Sequence, residues 1–219
     1  MSAIYDASQG EFVCQFIERF PTTDTGRPFS LYDWQREAIM EFYSTLEVAD
    51  DTGEQYRRYQ YLYEELPKKN GKSELAAPLG LYHLFGDGEL NAEVYICAAD
   101  KDNASIVYNA AVYMLQAATW TAAMLERGTL KLVESRREIL YRRQRKTPSG
   151  GMEWQIIGRL KVLSAEAYSK HGYKPSCVIF DELHAQPNRD LWDVMTFGAG
   201  SSRRQPVWIV LTTAGDDPD

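Results

Sequence analysis

The feature that most constrains the fold is a short loop between a tyrosine-rich alternating segment and a helix-like segment. Residues 59–63 alternate tyrosine with other residues, and residues 66–73 read Leu-Pro-Lys-Lys-Asn-Gly-Lys-Ser before a helical Glu-Leu-Ala-Ala. A strand, a tight loop and a helix N-terminus in this order form an anion site, because unpaired N–H groups and the positive end of the helix dipole meet there. Gly-Lys-Ser ends a Walker A loop, although Leu66 stands where its first glycine should be. We predict that Lys72 binds the β- and γ-phosphates and that Ser73 binds Mg²⁺.

Two acids follow an apolar run at residues 177–182, Cys-Val-Ile-Phe-Asp-Glu. Such a run is typical of a central parallel strand that is buried on both faces, and ligands bind where these strands end. Two adjacent carboxylates at that position need a counter-cation. We predict that Asp181 holds Mg²⁺ through water and that Glu182 orients and deprotonates the attacking water. The alternative is a strand that ends in a solvated acidic turn.

Two further segments carry polar groups that suit a nucleotide. Residues 211–215, Leu-Thr-Thr-Ala-Gly, end another apolar strand, and the hydroxyls of Thr212 and Thr213 could sense the γ-phosphate. Ordinary strand termination would explain the same residues. Near the start of the chain, Gln35 could pair with adenine while Trp34 stacks on the base. The alternative is a helix start that is capped by Ser30, with Trp34 in the core.

The order of the segments predicts an α/β fold. The predicted helices are residues 6–19, 31–46, about 101–127 and 189–197, and the predicted strands are residues 57–65, 93–99, 177–182 and 206–213. The long third helix places Ile106, Ala110, Met114 and Ala117 on its inner face. Short strand-like pieces at residues 130–133, 138–141, 153–157 and 161–163 predict antiparallel ribbons inserted at one edge, with a basic, turn-rich loop at residues 142–151. Strand–helix alternation elsewhere predicts a mainly parallel central sheet flanked by helices.

The charge balance excludes a protein that coats nucleic acid through its whole surface. The chain has 24 Lys+Arg against 31 Asp+Glu, a net charge of −7. Any DNA contact must therefore be a local basic patch, and the candidates are Arg142, Arg143, Arg145 and Lys146. The 3 cysteines are far apart and fit neither a zinc site nor a disulfide framework, so we expect a reduced, intracellular protein. No signal pattern or membrane-length apolar run is present.

Four segments of the chain, in this order, resemble the ATPase domain of the large terminase subunit of tailed bacteriophages, over about residues 31–215. They are the segment around Gln35, Lys-Lys-Asn-Gly-Lys-Ser at 68–73, Asp-Glu-Leu-His at 181–184 and Leu-Thr-Thr-Ala-Gly at 211–215. Residues 164–172, before the acid strand, also resemble that family. The resemblance implies a P-loop fold of the ASCE/RecA-like kind that uses ATP and Mg²⁺ to drive double-stranded DNA into a procapsid. It also implies a homo-oligomeric ring on the portal protein, a small terminase subunit as partner, a monomer in isolation, and a soluble location in the host cytoplasm without membrane contact.

The resemblance also assigns roles to individual positions. Thr212 and Thr213 would couple hydrolysis to movement, Gln35 would read adenine, and Glu182 would be the catalytic base. The family's loop arginine falls on Lys68, so a partner subunit would supply the trigger arginine, with Arg203 and Arg204 as first candidates and residues 142–146 as second. His184 follows the acid pair at helicase spacing and either relays DNA contact or packs beneath the sheet edge. The nucleotide contacts implied are Trp34, Gln35, Pro67, Lys68, Lys69, Asn70, Gly71, Lys72 and Ser73.

Terminases of this type continue into a nuclease domain, whereas this chain stops at Asp219. We therefore expect a single excised ATPase domain over residues 1–219, with a helical segment at 1–55, a P-loop core at 56–219 and no nuclease activity. The alternative is that the nuclease is a separate polypeptide. Three alternatives remain open. They are a helicase-like DNA translocase, a non-catalytic nucleotide-binding scaffold, and a nuclease fragment that uses Asp181 and Glu182 on metals.

Overall fold

The computed structural model describes residues 2–67, 70–164, 172–197, 203 and 205–213. The helices are α1 (Ala7–Glu18), α2 (Asp33–Ser44), α3 (Lys72–Phe85), α4 (Lys101–Ala117), α5 (Thr119–Glu126) and α6 (Asp190–Phe197). The strands are β1 (Ser2–Tyr5), β2 (Thr45–Val48), β3 (Gln55–Arg57), β4 (Tyr61–Glu65), β5 (Ala92–Ala98), β6 (Leu130–Val133), β7 (Glu138–Lys146), β8 (Met152–Ser164), β9 (Cys177–Asp181) and β10 (Val207–Thr212). Within these described residues, no helix is both long and apolar enough to cross a membrane.

In the part of the chain that the structure describes, the main sheet has 7 strands in the order β4-β10-β9-β5-β8-β7-β6. Strands β4, β10, β9, β5 and β8 run parallel to one another, whereas β7 pairs antiparallel with β8 and β6 pairs antiparallel with β7. The predicted α/β class, with a mainly parallel sheet and a small antiparallel insertion, is confirmed. We call the side of the sheet where the parallel strands end the carboxyl edge, and the side where they begin the amino edge.

The core is divided between the two faces of this sheet. One face carries Ile96, Ile179 and Ile209 and is covered by α3 and α4, while the other carries Cys97 and Phe180 and packs against α6. Successive residues of a strand point to opposite faces. Because both faces are covered, residues 94–98 of β5, 177–180 of β9 and 207–211 of β10 read as continuous apolar runs in the sequence.

The first 57 residues are only partly helical. Helices α1 and α2 agree with the prediction, but β1, β2 and β3 form a separate 3-stranded antiparallel sheet. The strand predicted at residues 57–65 is therefore two strands in two sheets. Residues 58–60 carry the chain from one sheet to the other: Arg58 N donates to Thr45 O, and Gln60 O accepts from Trp208 N.

The helix predicted at residues 101–127 is divided at Ala118, which has extended backbone angles of φ −79° and ψ 119°. The Thr121 hydroxyl donates to the carbonyls of Leu115 and Ala118 over 2.8 and 3.0 Å, so it replaces bonds that a continuous helix would supply. Of the predicted inner-face residues, Ala110 and Met114 are buried. Ile106 is 58% exposed and Ala117 is also exposed, so the prediction is wrong for these two.

The antiparallel insertion is a long hairpin of β7 and β8. The pieces predicted at 153–157 and 161–163 belong to one 13-residue strand, and the residues predicted as a basic loop at 142–146 lie in β7. Only residues 158–164 of β8 pair with β5, so the rest of the hairpin projects past the amino edge. A register shift between Tyr141 and Arg142 marks where it leaves the sheet.

Candidate functional site

The predicted phosphate loop lies at the carboxyl edge, between the end of β4 and the start of α3. Gly71 is the N-cap of α3 and has a φ of 70°, in the left-handed region that favours glycine. A Cβ at this position would meet no atom within 4 Å, so the turn requires glycine for its backbone angle alone. Asn70 Nδ2 donates to Pro67 O over 3.1 Å and braces the turn. Lys68 and Lys69 lie outside the described residues.

Lys72 places a buried cation at the N-terminus of α3. Its side chain is 4% exposed, and Nζ lies 3.6 Å from Glu182 Oε1. Nζ also donates to Leu66 O over 3.2 Å and to Pro67 O over 3.1 Å. A buried ammonium group needs such partners, because burial of an unpaired charge is strongly unfavourable. The positive charge therefore occupies the position that the sequence predicts for phosphate recognition.

Asp181, the last residue of β9, supplies a buried carboxylate next to Lys72 and Ser73. The residue is 2% exposed, and its Oδ1 has no hydrogen-bond partner among the described residues. Burial raises the pKa of Asp181 to about 6, against the opposing effects of a Ser73 hydrogen bond and the Lys72 charge. An unsatisfied buried carboxylate oxygen is costly, and a cation would satisfy it.

Glu182 follows in a strained conformation. Its φ of 56° and ψ of 59° fall in the left-handed region, which costs a residue with a side chain about 1–3 kcal/mol and is concentrated at functional sites. Thr213 Oγ1 donates to Glu182 Oε2 over 2.7 Å and to Oε1 over 3.0 Å. The Glu182 N–H donates to Leu211 O over 2.8 Å. These contacts hold the carboxylate beside Lys72 despite the strain.

His184 links Thr212, one of the two predicted coupling threonines, to Glu182. Its Nδ1 lies 3.0 Å from Thr212 Oγ1 and 3.2 Å from Glu182 Oε2. The contact arises because β9 and β10 are parallel neighbours with Leu211 opposite Asp181. The spacing of His184 after the acids was the only signal for it in the sequence, and it left the role of the side chain open.

The cleft in front of these groups has a volume of about 360 Å³. Asn70, Gly71, Lys72, Ser73 and Glu182 line it, and so do Thr23, Asp24, Glu74, Ile106 and Ala110. The sequence did not point to the second group. Thr23 N and Oγ1 both donate to Glu74 Oε1, over 2.7 and 3.0 Å, and thereby hold the loop before α2 against the first turn of α3. The turn-rich sequence of the loop before α2 did not predict this contact with α3.

Gln35 and Trp34 are not among the described residues that line this cleft. Gln35 is 2% exposed, and its Oε1 accepts from Tyr32 N over 2.9 Å at the start of α2. Trp34 is partly buried and stacks on Tyr32, with ring centroids 6.4 Å apart. In this structure both residues shape the helix start.

Arg203 lies at the amino edge, away from Lys72 and Glu182. Its guanidinium donates to the carbonyls of Lys174, Leu90 and Asn91 over 2.9–3.0 Å and to Glu89 Oε1 over 3.1 Å. The side chain is 11% exposed. Arg203 therefore ties together the segments that lead into three parallel strands. Arg204 lies outside the described residues.

The predicted DNA-contact residues lie on β7, in the part of the hairpin that projects past the amino edge. The Arg142 guanidinium stacks 4.7 Å over the Trp154 ring and donates to Gly128 O over 2.6 and 3.0 Å. Arg143 Nε donates to Gln155 Oε1 over 3.1 Å, and the side chains of Arg145 and Lys146 are exposed. Their contact with DNA stays a prediction.

The family model of the terminase large subunit ATPase domain matches residues 30–219. The chain belongs to this family. It is similar to the bacteriophage HK97 large terminase, with a TM-score of 0.70 and 26% identity over 93% of this chain and 37% of that chain. It also resembles the Thermus phage P74-26 large terminase ATPase domain, with a TM-score of 0.55 and 20% identity over 74% of this chain and 63% of that chain, a likeness that shows the fold alone. No curated protein matches the chain.

Membership of the terminase large subunit ATPase domain family indicates nucleotide binding and ATPase activity. The chain spans less than two thirds of both similar structures, 37% of one and 63% of the other. The roles of its individual residues are therefore proposals.

Proposed function

We propose that this terminase ATPase domain hydrolyses ATP with Mg²⁺ and that hydrolysis drives double-stranded viral DNA into a procapsid. The observation that carries the proposal is that Lys72 and Glu182 line one cleft 3.6 Å apart and that Thr213 bonds Glu182 over 2.7 Å. These residues come from the start of α3, the turn after β9 and the end of β10. A cation, a carboxylate and a hydroxyl in contact at the carboxyl edge of a parallel sheet suit phosphoryl transfer to water.

The loop of residues 67–71 and the Lys72 ammonium would hold the phosphates of ATP. Ser73 and Asp181 would hold Mg²⁺, with Asp181 acting through water. The residues fit a divalent cation, because the buried Asp181 Oδ1 has no partner among the described residues and Ser73 bonds the same carboxylate. When bound, Mg²⁺ neutralises charge on the β- and γ-phosphate oxygens. The proposed adenine contact of Gln35 requires its Oε1 to release the Tyr32 N–H.

Glu182 is the proposed general base. It takes a proton from water as the water oxygen attacks the γ-phosphorus, and the bond from that phosphorus to the β–γ bridging oxygen breaks to release ADP. Thr213 fixes the carboxylate through both of its oxygens, and His184 contacts the same group from the β10 side. Lys72 stabilises the negative charge of the transition state. Thr212 contacts His184 and Thr213 contacts Glu182. Through these contacts the two threonines would transmit the presence or absence of the γ-phosphate to β10.

An arginine from a neighbouring subunit would complete the site in a homo-oligomeric ring, and such a residue typically raises turnover by about 10³–10⁵. We retain Arg204 and the hairpin arginines as candidates, whereas Arg203 has its donors engaged within its own chain. Lys68, at the family's loop-arginine position, would add charge to the loop. We therefore expect slow turnover by the isolated domain.

In the packaging complex the domain would work with the portal protein and the small terminase subunit. The projecting hairpin, with Arg143, Arg145 and Lys146, would hold the phosphate backbone without reading bases. The double substitution Arg143→Ala with Arg145→Ala should then flatten the slope of log affinity against log salt by about 2. An unchanged slope would remove the hairpin from the DNA-binding surface.

The ATPase proposal is tested by comparing the chain with its Lys72→Ala and Glu182→Gln variants. Phosphate release from Mg-ATP and nucleotide affinity are measured on each protein. Glu182→Gln should abolish turnover and leave nucleotide binding largely intact, whereas Lys72→Ala should weaken both. Binding without turnover in the unaltered chain, even at ring-forming concentration and with DNA, would instead favour a non-catalytic scaffold.

A further inference from the structure

A buried polar cluster lies at the amino edge, at the far end of α3 from the candidate nucleotide site. Tyr43 OH lies 2.8 Å from His83 Nε2, and His83 Nδ1 lies 3.0 Å from Asp87 Oδ2. Arg57 Nη1 donates to Asp87 Oδ1 over 2.7 Å, and Arg57 Nη2 donates to Gln205 O over 3.0 Å. The Arg57 and Asp87 side chains are only 12% and 11% exposed. We call these five residues the amino-edge cluster.

The cluster contains one buried ion pair and a neutral histidine. Burial alone would raise the pKa of Asp87, but contacts with His83 and Arg57 hold it well below its usual range. Burial lowers the pKa of His83 despite the opposing effect of Asp87. A neutral His83 that donates from Nδ1 to Asp87 and accepts at Nε2 from Tyr43 satisfies both of its nitrogens.

Three elements each have one terminus at the candidate site and the other terminus in or next to this cluster. Helix α3 carries Lys72 at its start, and its last turn is followed by Asp87. Strand β4 follows Arg57 closely and leads to the phosphate loop, while β10 follows Gln205 and leads to Thr213. The 14 residues of α3 span about 21 Å, and the 6 residues of β10 span about 20 Å. Both elements therefore cross the sheet from one edge to the other.

Arg57 is the member that joins the three elements. Besides the side-chain bonds to Asp87 and Gln205 O, the Arg57 backbone N–H donates to Gln205 Oε1 over 2.9 Å. Its Nε has no hydrogen-bond partner among the described residues, so the guanidinium is oriented for Asp87 and Gln205 at the expense of that group. A buried ion pair contributes little to stability compared with apolar residues of similar size, and its better-attested use is to specify one arrangement.

We propose that the amino-edge cluster is a positioning clamp for the candidate site. By fixing α3, β4 and β10 against one another at the amino edge, it keeps Lys72 and Thr213 in register at the carboxyl edge, and Thr213 in turn holds Glu182 after β9. Arg57, His83 and Asp87 act through the elements that carry the site and do not contact nucleotide. The clamp deepens the ATPase function proposed above and rests on it for its kinetic consequence.

The test replaces the ion pair by neutral groups of similar size in the double variant Arg57→Met with Asp87→Asn. The new asparagine can still accept from His83, so the fold should be retained. We expect kcat to fall about 10- to 100-fold, as small misplacement of catalytic groups does, with KM changed less than about 2-fold. Amide exchange of residues 70–75 and 207–213, across the sheet from the substitutions, should also accelerate.

The control is Leu130→Ala in β6, whose side chain is buried at the far side of the sheet. It should lower the melting temperature at least as much as the double variant without changing kcat or exchange at residues 70–75. Unchanged kcat and unchanged exchange in the double variant would overturn the clamp, as would equal effects from Leu130→Ala. If the unaltered chain shows no turnover that depends on Lys72, the ATPase proposal fails, and amide exchange alone then decides the clamp.

Discussion

The hydrogen bonds between Thr213 and Glu182 provide the most direct test of the proposed chemistry. The perturbation is Thr213→Val, which replaces a hydroxyl with a methyl group in a residue that is 5% exposed and so leaves the packing nearly unchanged. The hydroxyl donates to both carboxylate oxygens, over 2.7 and 3.0 Å. A hydrogen bond to a charged group contributes about 1.5–3 kcal/mol.

That energy offsets the strained backbone of Glu182, whose φ is 56°. If it is used to hold the general base in place, its loss should lower kcat by about 10- to 150-fold, at about 1.4 kcal/mol for each factor of ten. Nucleotide affinity should change little, because Thr213 does not carry a phosphate-binding charge. The assay is steady-state phosphate release at saturating Mg-ATP, together with the Kd for ADP on the same protein.

Thr213→Ser is the matched control, since serine keeps the hydroxyl and loses only a methyl group. It should stay close to the unaltered chain in kcat. A valine variant with undiminished kcat would refute the assignment of Thr213 as the group that orients Glu182. A valine variant that loses ADP affinity as steeply as turnover would instead indicate a collapsed pocket.

Three further predictions concern backbone angle, packing and charge. Gly71→Ala should weaken nucleotide binding and destabilise the fold by about 1–2 kcal/mol, because the φ of 70° is unfavourable for a residue with a Cβ; calorimetry measures both. Gly10→Ala should lower the melting temperature, since its Cβ would lie 2.8 Å from Met40 Cα. The unaltered chain should have a larger free energy of unfolding than Asp87→Asn. Because the folded-state pKa of Asp87 is depressed, this difference should be constant above about pH 5 and shrink below about pH 4. Urea unfolding across this pH range measures the difference.

Each of these has a contrasting outcome. Gly53 has a φ of 69° and no atom within 4 Å of its Cβ position, so Gly53→Ala should cost similar stability without any effect on nucleotide binding. Equal loss of binding in both alanine variants would contradict a specific role for Gly71. A melting temperature unchanged by Gly10→Ala would contradict the close packing of α1 against α2 at this position. If the difference in free energy of unfolding between the unaltered chain and Asp87→Asn grew as the pH fell, the predicted pH dependence would have the wrong sign.

The sequence was sufficient for the fold class and for the central part of the site. Gly71, Lys72 and Ser73 are adjacent in the chain, and a loop–helix junction places them together whatever the remaining fold does. The acids Asp181 and Glu182 follow an apolar strand, and parallel strands present their carboxyl ends at one edge. Local backbone geometry and the sheet rule together therefore determine where these residues lie.

Contacts between distant segments could not be obtained in the same way. The position of Thr23 on Glu74, the exposure of Ile106 at the cleft, and the engagement of Arg203 at the amino edge each depend on how separate elements pack. The division of residues 57–65 between two sheets depends likewise on strand partners that the local pattern does not identify.

By itself, the sequence determined which groups are available for phosphate chemistry and the order in which strands and helices deliver them, because hydrophobic period and turn residues act over short distances. Only the tertiary structure decided that His184 bonds Thr212, that Thr213 fixes Glu182, and that Arg57 joins α3 to the start of β10. The physical reason is that a hydrogen bond or ion pair requires atoms to approach within about 3–4 Å. Strand order and helix packing set such distances for residues that lie far apart in the chain.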